Sequence, residues 1–312
     1  MRPSLLLLLV LAACGHPPGE LGTSGVWLTY SLGGTPFVHD VEDGTTADLT
    51  TLLDAVEPRG GTRHPESQVN VAPDSSALAV MTERFHADCA GWPCVAVVSS
   101  DASTAEVVEP PSGVVHAADL AVGPDGDLVV YSDDDRVLWA TTRSSGWSEP
   151  IELTASSSYA YGWRPAVSAD GSTVLFDCGD ELFPAEAICE VGTDGTGFRV
   201  VATNDGGPDG TSGPGVHHAD YGPGGSIVFE AEYAGGEQIW RTNGGPPELV
   251  QSDAFDDNSP CVLADGRIAS LWLDRPDGDG SHELKLLDAD GSGFELIVEG
   301  EDVDDIGLGC GG

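Results

Sequence analysis

Short apolar runs alternate with polar turns along the chain, and one kind of turn recurs at a nearly constant spacing. Each of these turns contains Asp-Gly or a close variant, and consecutive turns lie about 48 residues apart. The turns are 72–75, 123–126, 168–171, 222–225 and 264–266. Repeats of roughly 20 to 50 residues are typical of solenoids, propellers and similar arrays. The pattern therefore predicts a repeat protein.

Each turn is followed by an apolar run of four to six residues, which indicates a strand buried on both faces. The runs are 77–82, 128–132, 173–177, 227–230 and 268–273. A polar loop and another strand follow, at 95–99, 137–141, 188–192, 238–242 and 283–288. With one strand before the turn and one after a second tight turn, each unit contains four antiparallel strands. Such a unit predicts one blade of a β-propeller.

The two ends of the chain each contain part of a blade. Residues 26–31 have the pattern of a second strand, and 37–41 and 46–53 those of a third and fourth strand. Residues 304–309 have the pattern of a first strand with nothing after it. Pairing the two ends completes a sixth blade and leaves no open sheet edge. The prediction is an all-β fold, a six-bladed β-propeller of four-stranded antiparallel blades, closed by a strand at about 304–309.

Two segments carry a resemblance to a known family. Residues 168–176 (SADGSTVLF) and 287–294 (LDADGSGF) resemble the WD40-like propeller repeats of TolB and related PD40 proteins. Repeats of that family have a Ser-Pro-Asp-Gly turn between the first two strands and an Asp-Gly hairpin before the fourth. The resemblance implies the propeller fold. It does not extend to the further N-terminal domain of TolB, so it implies no TolB role.

The first residues form a targeting signal. Arg2 precedes an apolar run at 5–11 that is too short for a permanent membrane span. Leu11-Ala12-Ala13-Cys14 resembles the lipobox of bacterial lipoproteins, which implies diacylation of Cys14 and cleavage before it. The alternative is an ordinary secretory signal with an incidental cysteine. The predicted organisation is a signal peptide at 1–13, a flexible tether at 14–25 and a single propeller domain at 26–310.

Lipidation predicts an exported protein of the bacterial cell envelope, held on a membrane through Cys14, because two acyl chains give stable anchoring. Gly15 after the lipidated cysteine is compatible with the outer membrane, with the protein facing the periplasm or the cell surface. Inner and outer membrane both remain open, as do the two faces.

Charge narrows the possible partners. The chain has 52 acidic and 12 basic residues, for a formal net charge of −40. Such a surface repels phosphate backbones, so nucleic acid is excluded as a partner. A well-hydrated, monomeric protein is expected, with an envelope protein or a small ligand as its partner. No cofactor is predicted. The acidic segments 277–280 and 288–291 resemble fragments of calcium loops, so Ca²⁺ remains open, although tight hairpins also require Asp and Gly.

Six cysteines remain besides Cys14, and an even number in an exported chain predicts disulfides. Two pairs are close in sequence, and the third follows by elimination: Cys89–Cys94, Cys178–Cys189 and Cys261–Cys310. The third pair fits the predicted strands less well, because they offset its members by about 13 Å. Free thiols are therefore the alternative for this pair. Zinc is disfavoured, because the sequence contains no Cys-x-x-Cys.

Candidate ligand-binding residues share a position in the repeat. Six residues before the Asp of each turn, or its equivalent, the first strands carry Gln68, Asp119, Arg164, His218 and Ser259, with Asp304 as the expected sixth. First strands surround the channel of a propeller, so these side chains are expected to ring its mouth, with His217 and Asp257 close by. Such a ring could bind a cation, a sugar acid or a peptide terminus. Alternatively, it is polar because water fills the channel.

Catalytic signatures are absent from the sequence, which has no Gly-x-Ser-x-Gly, His-Glu-x-x-His or phosphate-loop motif. No catalytic residue is therefore assigned. The predicted function is a lipid-anchored binding or scaffold module, with a protein or small ligand at the channel mouth. The alternative is a propeller lyase or hydrolase acting on acidic sugars or peptides through the His, Asp and Arg cluster.

Overall fold

The computed structural model describes residues 21, 24–57, 66–85, 94–108, 115–181, 184–233, 236–250, 257–272, 281–304 and 308–311, with the backbone alone at 115–119 and 209. Within these ranges, six four-stranded antiparallel sheets are present. Their innermost strands contact one another in sequence around a ring. The predicted six-bladed β-propeller is therefore confirmed.

The strands follow the chain blade by blade. Blade 1 contains β1 (Trp27–Leu32), β2 (Thr35–Asp40) and β3 (Thr45–Asp48). Blade 2 contains β4 (Glu66–Val71), β5 (Ala77–Thr82), β6 (Cys94–Ser99) and β7 (Ala105–Val108). Blade 3 contains β8 (Val115–Val122), β9 (Leu128–Asp133), β10 (Leu138–Thr142) and β11 (Ile151–Glu152).

Blade 4 contains β12 (Tyr161–Val167), β13 (Thr173–Gly179), β14 (Ala187–Gly192) and β15 (Arg199–Thr203). Blade 5 contains β16 (Val216–Gly222), β17 (Ser226–Ala231), β18 (Gln238–Thr242) and β19 (Glu248–Leu249). Blade 6 contains β20 (Asp257–Val262), β21 (Ile268–Trp272), β22 (Glu283–Leu287) and β23 (Glu295–Val298). The last strand, β24 (Gly309–Gly311), returns to blade 1. Short 3₁₀ helices occupy Pro124–Gly126, Thr154–Ser156, Pro208–Gly210 and Pro223–Gly225.

The ring closes by pairing β24 with β1, as predicted, but the closing strand begins later than expected. Leu28 lies opposite Cys310 in antiparallel register. Val303 forms an isolated bridge to Leu32, and the register shifts between this bridge and β24. The described closing strand is therefore 309–311, which overlaps the predicted 304–309 at residue 309. The ring still has no open inner edge, because β24 fills the innermost position of blade 1.

Two of the three predicted disulfides are present. Cys178–Cys189 joins β13 to β14 within blade 4. Cys261–Cys310 joins β20 to β24, with the two Cα atoms 5.6 Å apart. The offset expected for this pair was wrong, because the later start of the closing strand places Cys310 level with Cys261. The remaining predicted pair, Cys89–Cys94, includes a residue outside the described ranges.

The predicted fourth strand of blade 1 is shorter than expected and ends in a helix, α1 (Leu49–Leu53). Asp48 caps this helix, since its carboxylate accepts a hydrogen bond from the Thr51 N–H at 3.1 Å. Leu49 and Leu53 are buried between blades 1 and 2. No helix in the described part of the chain is long and apolar enough to cross a membrane.

The core is divided among the interfaces between neighbouring blades. Five of these interfaces contain ten or more buried apolar side chains each. The interface between blades 5 and 6 has a small apolar cluster around Val228 and Ile268. It also contains the fully buried Lys285, whose Nζ forms an ion pair with Asp257. This polar interface adjoins the candidate site described below.

The recurring turns contact one another from blade to blade, which explains their glycines. Gly126 has φ +64°, and a Cβ placed on it would lie 2.7 Å from the Cβ of Ala77 in blade 2. Gly266 has φ +92°, and a Cβ there would lie 2.9 Å from Pro223 in blade 5. Both positions need glycine for its conformation and for its small size.

Candidate functional site

The innermost strands enclose a channel that contains two cavities. One cavity, called the upper cavity, is lined by the polar side chains of Gln68, Asn70, Arg164 and His218, among others, and has a volume of about 70 Å³. The lower cavity has a volume of about 190 Å³ and mainly apolar walls. The predicted ring position therefore does face the channel at Gln68, Arg164 and His218.

The predicted ring position coincides with a β-bulge. In blades 4, 5 and 6 the register of the first strand shifts between Trp163 and Ala166, His217 and Asp220, and Asn258 and Cys261. Arg164, His218 and Ser259 lie within these bulges and have φ values of 51°, 50° and 50°. This left-handed conformation costs roughly 1 kcal/mol or more for a residue other than glycine. Specific hydrogen bonds must therefore support it.

Buried carboxylates of the preceding blades provide that support. The His218 N–H donates to Asp177 Oδ1 at 3.0 Å, and the Ser259 N–H donates to Glu230 Oε2 at 3.0 Å. Asp177 and Glu230 occupy equivalent places in β13 and β17, opposite Trp163 and His217. Each carboxylate thus bridges its own blade to the first strand of the next.

Asp177 brings three of the predicted site residues together. Its Oδ2 lies 3.5 Å from Arg164 Nη1 and 3.3 Å from His217 Nδ1, and its Oδ1 binds the backbone of His218. The Asp177 side chain is fully buried. A buried carboxylate needs charged or hydrogen-bonding partners, and this one has three.

Glu230 forms the second centre of the network. Its Oε2 lies 3.0 Å from His218 Nδ1. Burial alone would raise the pKa of Glu230, but the hydrogen bond and charge of His218, the charge of His217 and the Ser259 N–H outweigh burial and lower the pKa to about 2. The carboxylate is therefore ionised at neutral pH and holds the ring of His218 in place.

Ser259, His218 and Glu230 have the residue types of a catalytic triad but not its geometry. The Ser259 Oγ lies 3.2 Å from His218 Nε2 and 3.4 Å from Nδ1. A hydroxyl in line with the Nε2 lone pair would lie much farther from Nδ1, so Oγ lies over the face of the ring and in line with neither lone pair. Ser259 is also buried, with 1% of its surface exposed. The arrangement supports the bulge and does not present a nucleophile.

Two other predicted site residues, Asp257 and Asp304, lie away from the channel. The carboxylate of Asp257 pairs with Lys285 in the interface of blades 5 and 6. Asp304 accepts a hydrogen bond from the Gly34 N–H at 2.7 Å, beside the end of β1. Leu308, and not Asp304, is among the residues that line the upper cavity. The side chain of Asp119 is not among those described.

The sequence analysis missed a channel carboxylate, Asp220, which lines both cavities. Desolvation raises the pKa of Asp220 to about 6, although the N–H groups of Val262 and Tyr221 donate to it at 2.7 and 2.8 Å. Asp220 lies four residues before the turn position of its blade, as do Asn70 and Cys261. Counting back four residues from each turn position, instead of six, would have found Asp220.

Metal chemistry has little support from the described side chains. They contain no group of three or more His, Cys, Asp or Glu residues arranged to hold a metal ion. The carboxylates nearest the channel histidines already accept hydrogen bonds from protein groups. The arrangement can orient polar groups around a small cavity.

Comparison with known proteins identifies the fold. No family model and no curated protein matches the chain. TolB from Acinetobacter baumannii is 17% identical, with a TM-score of 0.51, over 85% of this chain and 65% of TolB. A GH74 xyloglucanase from Xanthomonas campestris is 16% identical, with a TM-score of 0.51, over 87% of this chain and 43% of the enzyme. An oligogalacturonate lyase in complex with manganese is 13% identical, with a TM-score of 0.54, over 85% of this chain and 70% of the lyase.

These similarities concern the fold alone, because the identities are low and the similar structures include both TolB and enzymes. The chain spans about two-thirds of TolB and less than half of the xyloglucanase. Membership of the PD40 family and the lipoprotein signal remain predictions. The comparisons and the blade arrangement together identify a six-bladed, TolB-like β-propeller.

Proposed function

We propose that the protein is a lipid-anchored binding module of the bacterial envelope, which holds a protein or a small ligand at its channel mouth. The observation that carries this proposal is the network that joins Arg164, Asp177, His217, His218 and Glu230. Its members fix one another, so the polar mouth is organised before a ligand arrives. Preorganisation of this kind lowers the entropic cost of binding.

A hydrolase or lyase is a weaker alternative. Proton transfer requires a group that can reach the reacting atoms. Asp177 and Glu230 are buried and bound to protein groups, and Ser259 is misaligned with His218. The network therefore favours binding over catalysis.

The proposed location follows from the disulfides and the lipobox resemblance. Closed disulfides such as Cys178–Cys189 persist in oxidising compartments outside the cytosol. We expect Cys14 to carry the anchor. Metabolic labelling with an alkyne fatty acid should label the wild type and not Cys14→Ser. Equal labelling of both proteins would contradict the anchor.

The partner is tested by photo-crosslinking in intact cells. A photoreactive residue at the exposed position 160, at the entry to β12, should form a specific adduct. The same residue at position 200, in the outer strand β15, provides the control. Adducts at both positions, or at neither, would contradict a protein partner held at the channel mouth.

A further inference from the structure

Asp220 lies where the two channel cavities meet. It lines both of them, as do Pro73, Val167 and Cys310. The carboxylate is held in position by two backbone N–H groups, from Tyr221 in its own strand and from Val262 in blade 6. Each of these bonds uses one lone pair, so both carboxylate oxygens keep a further lone pair for another donor.

No described side chain neutralises this carboxylate. The other described charged side chains of the channel are Arg164 and His218 in the upper cavity, and these contact Asp177 and Glu230. β4, β20 and β24 present no charged side chain to either cavity, and the hydroxyl of Tyr221 binds Thr173 and Glu190 outside the channel. Because this half-buried carboxylate has no counter-charge among the described side chains, a cation at Asp220 would be stabilised.

The walls of the lower cavity indicate the rest of the ligand. Around Asp220 they consist largely of apolar side chains, including Val167, Pro223, Val262 and Leu263. Ca²⁺ and Mg²⁺ prefer six or more oxygen ligands, and the described side chains of the lower cavity offer one carboxylate. An apolar pocket with a single charged group is instead suited to an organic cation that carries an alkyl chain.

Size and charge agree with a small ligand. The volume of about 190 Å³ is more than ten times the roughly 10–15 Å³ needed to hold one water, so the cavity has room for a short alkyl chain. The formal net charge of −40 attracts cations to the protein from solution. An ammonium group also supplies N–H donors for the remaining lone pairs of the carboxylate.

We propose that the channel binds a small primary alkylamine, with its ammonium group on Asp220 and its alkyl chain in the lower cavity. This inference rests on the proposed binding function and specifies the chemical class of ligand. It assigns to Asp220 the role of the charge-recognising residue. The upper polar network is then the rim through which a ligand or a larger partner is positioned.

The test is isothermal titration calorimetry of the full-length protein in detergent, with n-butylammonium, n-butanol and n-butyrate as probes. These probes have the same chain length and differ in charge. We expect n-butylammonium to bind at least tenfold more tightly than the other two. Asp220→Asn should lower its affinity at least tenfold, whereas Glu149→Gln, which removes an exposed carboxylate, should leave it unchanged. Equal affinities for the three probes, or an unaltered affinity in a folded Asp220→Asn protein, would overturn the proposal.

The wild type provides a second readout that does not depend on a variant. The pKa of Asp220 is about 6, so lowering the pH from about 7.5 to about 5 should weaken n-butylammonium binding roughly tenfold. An affinity that is the same at both pH values would also overturn the proposal. If n-butylammonium does not bind but the photoreactive residue at position 160 forms a specific adduct, only this inference is rejected. Amine binding without that adduct would reject the protein partner alone.

Discussion

At the scale of single residues, one buried carboxylate, that of Glu230, stays ionised and joins two blades. Glu230 accepts hydrogen bonds from the ring of His218 and from the backbone of Ser259. The bond from Ser259 connects blades 5 and 6 and supports the left-handed conformation of that residue. The stability of this part of the ring should therefore depend on the charge of Glu230.

Glu230→Gln tests this dependence. At neutral pH we expect the free energy of unfolding to fall by roughly 1–3 kcal/mol, because a neutral amide replaces the charged acceptor. The pKa of Glu230 in the folded protein is about 2, below its ordinary value of 4.5. Its stabilising contribution is therefore complete above about pH 4.5 and is lost as the pH falls towards 2. Urea unfolding should show the difference from the wild type shrinking over that range, and a constant difference would contradict the assignment.

Lys285 is the only lysine of the chain, and it is fully buried beside Asp257. Lys285→Met should lower the free energy of unfolding by about 3–5 kcal/mol, because it leaves the buried Asp257 carboxylate without its counter-charge. The control is Arg143→Met, which removes solvent-exposed ion pairs with Glu106 and Asp127 and should cost less than about 1 kcal/mol. Chemical denaturation measures both, and similar effects of the two variants would contradict the role given to Lys285.

At the scale of strands and turns, blades 2 to 6 could be predicted because each of them repeats the same turn and apolar run. The structure at the two ends of the chain was harder to predict. Val303 already bridges to Leu32, so a strand at 304–309 was close to the truth, but a shift of register cannot be read from the residue pattern. Residues 49–53 were assigned to a strand, and the capping carboxylate of Asp48 makes them a helix.

The candidate site could be predicted only in part, because part of it depends on contacts between neighbouring blades. Counting back from the turns found Arg164 and His218, since the bulges lie at that position. Asp177 and Glu230 were missed, because each ends an apolar run and was read as part of a strand. Their burial follows from contacts with the next blade, which one repeat does not reveal.

The disulfide that closes the ring should matter more than the one within a blade. Cys261–Cys310 spans 49 residues and Cys178–Cys189 spans 11. The chain-entropy relation gives about 4 kcal/mol for the longer loop and about 3 kcal/mol for the shorter one. Replacing Cys261 and Cys310 by serine should therefore destabilise the protein more in urea, and should also speed amide hydrogen exchange in β24. The opposite order of stability would contradict the role of Cys261–Cys310 in closure.

At the scale of the whole molecule, the propeller is a closed ring around a small polar channel. The formal net charge of −40 keeps the surface hydrated, and the repulsion between like charges also opposes a compact fold. Three features oppose that repulsion: the closure of the ring, the hydrogen bonds that buried carboxylates accept from the next blade, and the disulfides. The position of β24 is central, because it completes the sixth blade and forms part of the channel wall.

Mass spectrometry of a non-reduced digest tests the closed ring most directly. Because β24 lies beside β20, the digest should contain a peptide pair joined through Cys261 and Cys310. A free thiol at Cys310, or its linkage to a different cysteine, would show that the C-terminal strand is elsewhere and would contradict the closed ring and the channel built on it.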